Sequence, residues 1–177
     1  ASGLSAQASW TAESDQAVAH FGASVAAAGD VNGDGFGDVI VGSPLFANGQ
    51  ADEGRSFLYY GSAASLSTNA VWTTEGGQTS AFMGYSAGSA GDVNGDGFGD
   101  VFVGVPFYDT GQGVDAGKVL VFYGSASGLS SIPNWTVEGD QAGSLFGYSA
   151  ARAGDVNGDG YTDLIVGAYK YDNGQTD

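Results

Sequence analysis

The sequence predicts an all-β fold: β-propeller blades of four antiparallel strands, in about three repeats with one blade incomplete. Three observations lead there. The segment Asp-Val-Asn-Gly-Asp-Gly recurs at 30–35, 92–97 and 155–160, in steps of 62 and 63 residues, and a fixed period of that kind marks a repeat architecture. The apolar runs between these segments are short, β-branched or aromatic, and bounded by Gly, Asn, Asp or Ser, which is how strands read. Glycine supplies 32 of the 177 residues without a Gly-X-Y period, which excludes collagen and favours a turn-rich β chain.

The elements of one unit follow in a fixed order. Ser24-Val25-Ala26 precedes the acidic segment as strand A, and Val39-Ile40-Val41 follows it as strand B. Ser56-Phe57-Leu58-Tyr59-Tyr60 is strand C, and Ala70-Val71-Trp72-Thr73 is strand D. Four strands in a unit of about 60 residues match a propeller blade. Other landmarks keep the same step: Trp10, Trp72 and Trp135; Glu13, Glu75 and Glu138; Gly22, Gly84 and Gly147; Gly42, Gly104 and Gly167. The phase is equally specific. Residues 1–5 align with 126–130, between strands C and D, and the glycines that open strand C, Gly54 and Gly117, have their next counterpart near about 180 by the repeat step. The expected order is therefore D, A-B-C-D, A-B-C-D, A-B. One repeat domain covers 1–177, with units near 1–62, 63–125 and 126–177, the last without its strand C.

Charge narrows the partners. Four Lys and Arg stand against 20 Asp and Glu, a formal net charge of −16. Such a chain repels phosphate backbones and anionic lipid head groups, so nucleic-acid binding and attachment to acidic membranes are not expected. Divalent cations are the natural counter-charge. No cysteine is present, so disulfides, thiolate metal sites and thiol nucleophiles are excluded. No apolar run approaches a membrane span and residues 1–5 show no signal-peptide pattern, so a soluble segment is expected, with no membrane insertion and any leader already removed.

These residues resemble the FG-GAP repeat of integrin-α-like β-propellers. Phe21-Gly22 and Phe146-Gly147 match the first signature pair, and Met83-Gly84 departs from it conservatively. Gly42-Ser43-Pro44 and Gly104-Val105-Pro106 approximate the second signature, whereas Gly167-Ala168-Tyr169 lacks its proline. The resemblance covers essentially the whole chain. It implies a propeller, seven-bladed in integrins, with calcium in hairpin loops between strands A and B, and work in extracellular adhesion or ligand binding.

The acidic loops have the make-up of calcium cages. Asp30, Asn32, Asp34 and Asp38 place side-chain oxygens at loop positions 1, 3, 5 and 9, with the backbone carbonyl of Phe36 at position 7. The same set recurs as Asp92, Asn94, Asp96, Phe98 and Asp100, and as Asp155, Asn157, Asp159, Tyr161 and Asp163. Hard oxygen donors in alternation suit Ca2+, about three per chain, and Mg2+ less, because it prefers a stricter octahedron and retains water. Position 12, the acidic bidentate ligand of an EF-hand, is here Val41, Val103 or Val166. The bidentate role therefore falls on Asp38, Asp100 and Asp163, as it does in the family. A lone segment of this kind also reads as an Asx-rich turn capped by its own side chains. Three clusters of three carboxylates each favour a bound cation, because like charges gathered in one loop must otherwise be neutralised by protonation.

The remaining polar and aromatic residues read as architecture. His20, the one histidine, aligns with Phe82 and Leu145 and is expected to pack or sit at an edge. Trp10, Trp72 and Trp135 recur at the blade period, which favours packing between blades over a sugar-stacking platform. Glu13, Glu75 and Glu138 each begin a Glu-x-x-Gln that ends at Gln16, Gln78 or Gln141. One identical Glu per blade suggests a turn or an inter-blade hydrogen bond, since paired catalytic carboxylates need unlike environments. Arg55 and Lys118 open equivalent strands C and are placed to pair with neighbouring acids. The expected protein is a non-enzymatic, calcium-binding module, secreted or at the cell surface, for adhesion, ligand binding or scaffolding. A calcium-dependent lectin is the alternative. Completion of the blade by a second copy, most simply in a dimer, or by the remainder of a longer propeller is expected.

Overall fold

The computed structural model describes residues 6–174, in which ten strands and no helices are found. The first sheet has the order β1 (Ser24–Gly29), β2 (Asp38–Ser43), β3 (Arg55–Tyr59), β4 (Trp72–Glu75). The second repeats it with β5 (Ser86–Gly91), β6 (Asp100–Val105), β7 (Lys118–Phe122) and β8 (Trp135–Glu138). The third contains β9 (Phe146–Gly154) and β10 (Asp163–Ala168). All ladder pairs within the sheets are antiparallel. These are β-propeller blades, two complete and one represented by its first two strands.

The register is the same in each complete blade. Val39 faces Tyr59 across β2 and β3, and Val101 faces Phe122 across β6 and β7. A bulge lies between Ala27 and Gly29 and again between Ser89 and Gly91, just before the acidic loop. An extra residue bends the strand there and redirects the chain into the turn. The innermost strands β1, β5 and β9 lie beside one another, and Ser24 and Ser86 donate their hydroxyls to the carbonyls of Gly84 and Gly147 on the next blade. That approach requires glycine: a Cβ on Gly42 would stand 2.0 Å from the Gly84 oxygen, and one on Gly104 2.3 Å from the Gly147 oxygen.

Burial explains why the second strand of each complete blade is continuously apolar rather than alternating. Ile40 joins Leu58, Met83, Val101, Val103, Leu120 and Phe122 in the layer between the first and second sheets. Val41, one residue on, points the other way, into a layer with Phe57, Tyr59 and Phe46. Phe102 likewise packs in the layer between the second and third sheets, with Val119, Val121, Leu164 and Val166. A strand covered on both faces has no solvent side for polar residues.

The first expected strand D differs. Trp10 lies outside any strand, although its ring docks as the repeat requires, edge-on to Tyr59 at 4.9 Å. A strand needs a hydrogen-bonded neighbour, and among the described residues none stands beside this segment. Its packing survives without its ladder. Among the described residues there is also no helix long and apolar enough to cross a membrane.

Candidate metal loops and the contacts that hold them

Each acidic loop joins the first two strands of a blade and closes through the same hydrogen bonds. Asp30 Oδ1 accepts from the amides of Gly33 and Asp34, at 2.7 and 3.1 Å, and Oδ2 accepts from Gly35 at 2.8 Å. Asn32 Oδ1 accepts from the Asp34 amide and Asp34 Oδ1 from the Phe36 amide. Asp92, Asn94 and Asp96 repeat this set, as do Asp155, Asn157 and Asp159. Positive φ at Gly33 and Gly35, +73° and +87°, lets consecutive amides turn inward. The amides hold Asp155 below the usual carboxylate range, that of Gly160 most strongly.

Position 9 is built differently. Asp38 and Asp100 are buried, and each carboxylate is held at both oxygens by backbone amides: Asp38 by Val31 and Gly61, at 2.9 and 2.8 Å, and Asp100 by Val93 and Gly124, at 2.8 and 2.9 Å. Burial pushes both carboxyls up; the amides oppose this, and the nearby acids of positions 5 and 1 add to the rise. Position 9 therefore ties the loop to the end of the third strand. This buttress is absent from the sequence reading, because its second donor, Gly61 or Gly124, lies more than twenty residues away. In the third blade Asp163 takes the Val156 amide at 2.9 Å.

Adjacent loops also touch. A Cβ on Gly33 would stand 2.6 Å from the Phe98 ring, and one on Gly95 2.8 Å from the Tyr161 ring. The aromatic at position 7 of one loop therefore rests on the glycine at position 4 of the loop before it.

The donor set is all hard oxygen, with no nitrogen or sulfur ligand, and so suits Ca2+ rather than a softer metal. Among the described residues no three or more Asp, Glu or His side chains are gathered as a ready-formed metal cage. The carboxylates of positions 1 and 5 instead accept backbone amides that orient them: Oδ1 of position 1 takes two amides, while its Oδ2 and Oδ1 of position 5 each take one and keep a second lone pair. The residues suit a hard divalent cation by the chemistry of their oxygens.

The other repeated residues have structural work. Gln16 exchanges two hydrogen bonds with the backbone of Ala47, Gln78 with Asp109 and Gln141 with Asp172, each clasping a loop of the next blade. The inter-blade bond expected of Glu-x-x-Gln is thus made by its glutamine. Glu75 pairs with Arg55 on the neighbouring strand and also accepts from Asn48. Trp72 packs edge-on to Phe122 at 4.8 Å and donates its indole N–H to the Ser130 carbonyl, so its ring is not free to stack on a sugar. His20 is exposed, with a φ of +54° shared by its counterparts Phe82 and Leu145. Lys118 extends over the Tyr108 ring at 3.2 Å; burial lowers its pKa, opposed by Glu138.

Two features escape sequence reading. Glu53 is buried and accepts from the amides of Asn48 and Gly77, but its counterpart in the second blade is Ala116, so repetition does not mark it. Tyr85, Tyr148 and Tyr169 form an aromatic column across two blades, with a 2.7 Å hydroxyl contact between the first two. The first blade has Ala23 where the others have Tyr85 and Tyr148.

Comparison with known proteins places this architecture. The FG-GAP repeat family matches residues 21–59, 83–122 and 146–177. Integrin alpha-IIb of Mus musculus is 39% identical over 163 residues, 88% of this chain and 15% of its own length. Integrin alpha-5 of Xenopus laevis is 36% identical over 167 residues, and integrin alpha-7 of Homo sapiens 36% over 154, covering 89% and 84% of this chain and 15% and 12% of theirs. The chain thus spans about one seventh of the length of these relatives. With the three matched segments falling on its three blades, the chain belongs to the FG-GAP repeat family and is related to the propeller of integrin alpha chains.

Proposed function

We propose that this segment is a non-enzymatic, calcium-stabilised propeller module that works outside the cell in adhesion or protein-ligand binding. The observation that carries the reading is the threefold recurrence of one oxygen-rich loop with one hydrogen-bond pattern, on a chain of net charge −16. Asp30, Asn32, Asp34 and Asp38, with the Phe36 carbonyl, would hold one Ca2+, and the corresponding residues of the other loops one each. The ion supplies positive charge that gathers three carboxylates into one loop. Three Ca2+ would bring the formal charge from −16 to about −10. Extracellular modules bind calcium at about 10⁻⁴ to 10⁻³ M, which matches its concentration outside cells. At free calcium about ten times Kd each site adds about 1.4 kcal/mol, and three sites about 4 kcal/mol. The similarity to integrin alpha chains supports the extracellular setting and a protein ligand. The acidic loop residues recur alike in all three blades, which favours a binding over a catalytic role for them. Assembly belongs to the same reading: a second copy, or the remainder of a longer propeller, extends the third blade.

The test is calorimetric titration of the chelator-treated chain with Ca2+, paired with light scattering after size exclusion at about 2 mM calcium and in chelator. About three sites and a raised unfolding midpoint are expected. No heat of binding and an unchanged midpoint would overturn the metal assignment.

A further inference from the structure

We propose that Phe98 and Tyr161 are positioning residues for the acidic loop of the blade before their own, so that the three loops order as a linked row rather than one by one. The inference rests on the calcium reading above for the linkage of cation uptake. Its warrant is one peptide unit at each junction that faces two loops, beside a ring that presses on the turn the unit holds.

At the first junction Asp30, which opens the first loop, is held at two places. Its carboxylate accepts the amides of Gly33, Asp34 and Gly35 from within the loop. Its carbonyl accepts from outside, from the Gly99 amide of the second loop at 2.8 Å. Phe98, the residue before Gly99, lays its ring on Gly33, where a Cβ would stand 2.6 Å from the ring edge. Phe98 and Gly99 together therefore touch both ends of the turn that aims the Asp30 carboxylate. The second junction repeats this with Thr162, whose amide donates to the Asp92 carbonyl at 3.2 Å, and with Tyr161, whose ring lies on Gly95. Gly95 in turn donates to Asp92 Oδ1 at 2.7 Å. The arrangement survives a change of residue. A Cβ on Gly99 would stand 3.1 Å from the Asp30 nitrogen and 3.2 Å from the Ala28 oxygen, whereas Thr162 turns its side chain against Gly91. The first junction carries a further link. Ser125 donates its amide to the Val31 carbonyl at 3.1 Å, Val31 donates to Asp38, and Gly124, beside Ser125, donates to Asp100. The buttresses of the two loops thus form one backbone-linked chain across the blades.

A peptide unit whose carbonyl is engaged becomes a stronger donor at its N–H, because hydrogen-bonded groups polarise one another. The carbonyls of Phe98 and Tyr161 are the position 7 donors of their own loops, and the N–H of the same peptide units holds the loop before. What engages one loop therefore tightens the backbone of its neighbour. Coupling of this kind is reciprocal in binding free energy and is typically about 5–150-fold in affinity. Phe98 and Tyr161 carry no charge and lend their own loops only a backbone carbonyl. Truncating either ring removes neither a donor oxygen nor a charge from any loop, so its effect on the loop before is one of position.

The experiment follows the backbone amide signals of Gly35, Gly97 and Gly160, one in each loop, by nuclear magnetic resonance while the chelator-treated chain is titrated with Ca2+. Phe98→Ala is expected to raise the calcium midpoint at Gly35 at least about fivefold and to move that at Gly160 by less than about twofold. Phe98→Tyr, which installs the residue found at Tyr161, should restore the Gly35 midpoint. Tyr161→Ala should raise the midpoint at Gly97 in the same way, and Tyr161→Phe should leave it unchanged. Tyr161 is 48% exposed, so this second pair keeps the test decisive if Phe98→Ala fails to fold. An unchanged midpoint at the preceding loop, or equal weakening at all three, overturns the proposal while leaving the metal assignment standing. Hydrogen exchange in chelator covers the reverse case. If no glycine signal responds to Ca2+ the metal assignment fails, and Gly35 exchange at least about fivefold faster in Phe98→Ala then upholds the positioning by itself. Unchanged exchange there sinks the positioning as well.

Discussion

Asp38 and Asp100 show how one residue can belong to a ligand loop and to the core at once. Each is buried and each satisfies two backbone amides from different parts of its blade, so its removal orphans two donors. A buried amide left without an acceptor costs about 1–3 kcal/mol. Asp100→Ala is therefore expected to lose about 2–5 kcal/mol in urea unfolding performed in chelator, where no metal contributes. Asp163→Ala, with one short amide bond and partial exposure, should lose about 1 kcal/mol. Equal losses at the two positions would show that the buttress does not stabilise the apo chain. The identity of these residues was legible from the period alone, but their attachment to Gly61 and Gly124 was not, because a motif scan sees neighbours in sequence and these donors arrive by folding. Glu53 makes the same point more sharply, since nothing in its surroundings or its repeat counterpart marks it for burial.

Strands were legible where both faces of the chain carry a pattern. The runs 39–41 and 56–60 are apolar on both faces, Ser56 apart, because blades cover both sides of them, and they fall within or across β2 and β3 with only their ends displaced. The segment at Trp10 was legible as a packing element and not as a non-strand, because a ladder depends on the neighbour and not on the residues themselves. That distinction has a measurable consequence. Trp72 contributes from β4 to the layer between sheets, with an aromatic partner and an indole hydrogen bond, whereas Trp135 occupies the equivalent place in β8 with neither among the described residues. Trp72→Ala is expected to cost about 3–5 kcal/mol. Trp135→Ala, at a half-exposed site, should cost less than about 1 kcal/mol in the chain alone. Thermal and urea unfolding of the two variants gives the comparison, and similar losses would mean that the Trp135 environment is already filled.

At the scale of the whole molecule the dominant quantity is charge. Twenty acidic residues against four basic ones leave a net charge of −16, and self-repulsion of that size opposes the compact state. Repulsion among exposed charges is screened by salt, with a Debye length that shortens from about 30 Å at 0.01 M to about 8 Å at 0.15 M. In chelator the unfolding midpoint is therefore expected to rise by several degrees when NaCl increases from about 0.01 to about 0.3 M. Calcium at about 1 mM leaves that screening almost unchanged, so any stabilisation of similar size produced by it must come from binding at sites. The two titrations together separate a field spread over the molecule from cages located in its loops. A midpoint that stays flat or falls with NaCl would show that repulsion does not limit stability. The calcium effect, if present, would then reflect the organisation of the loops rather than relief of the global charge.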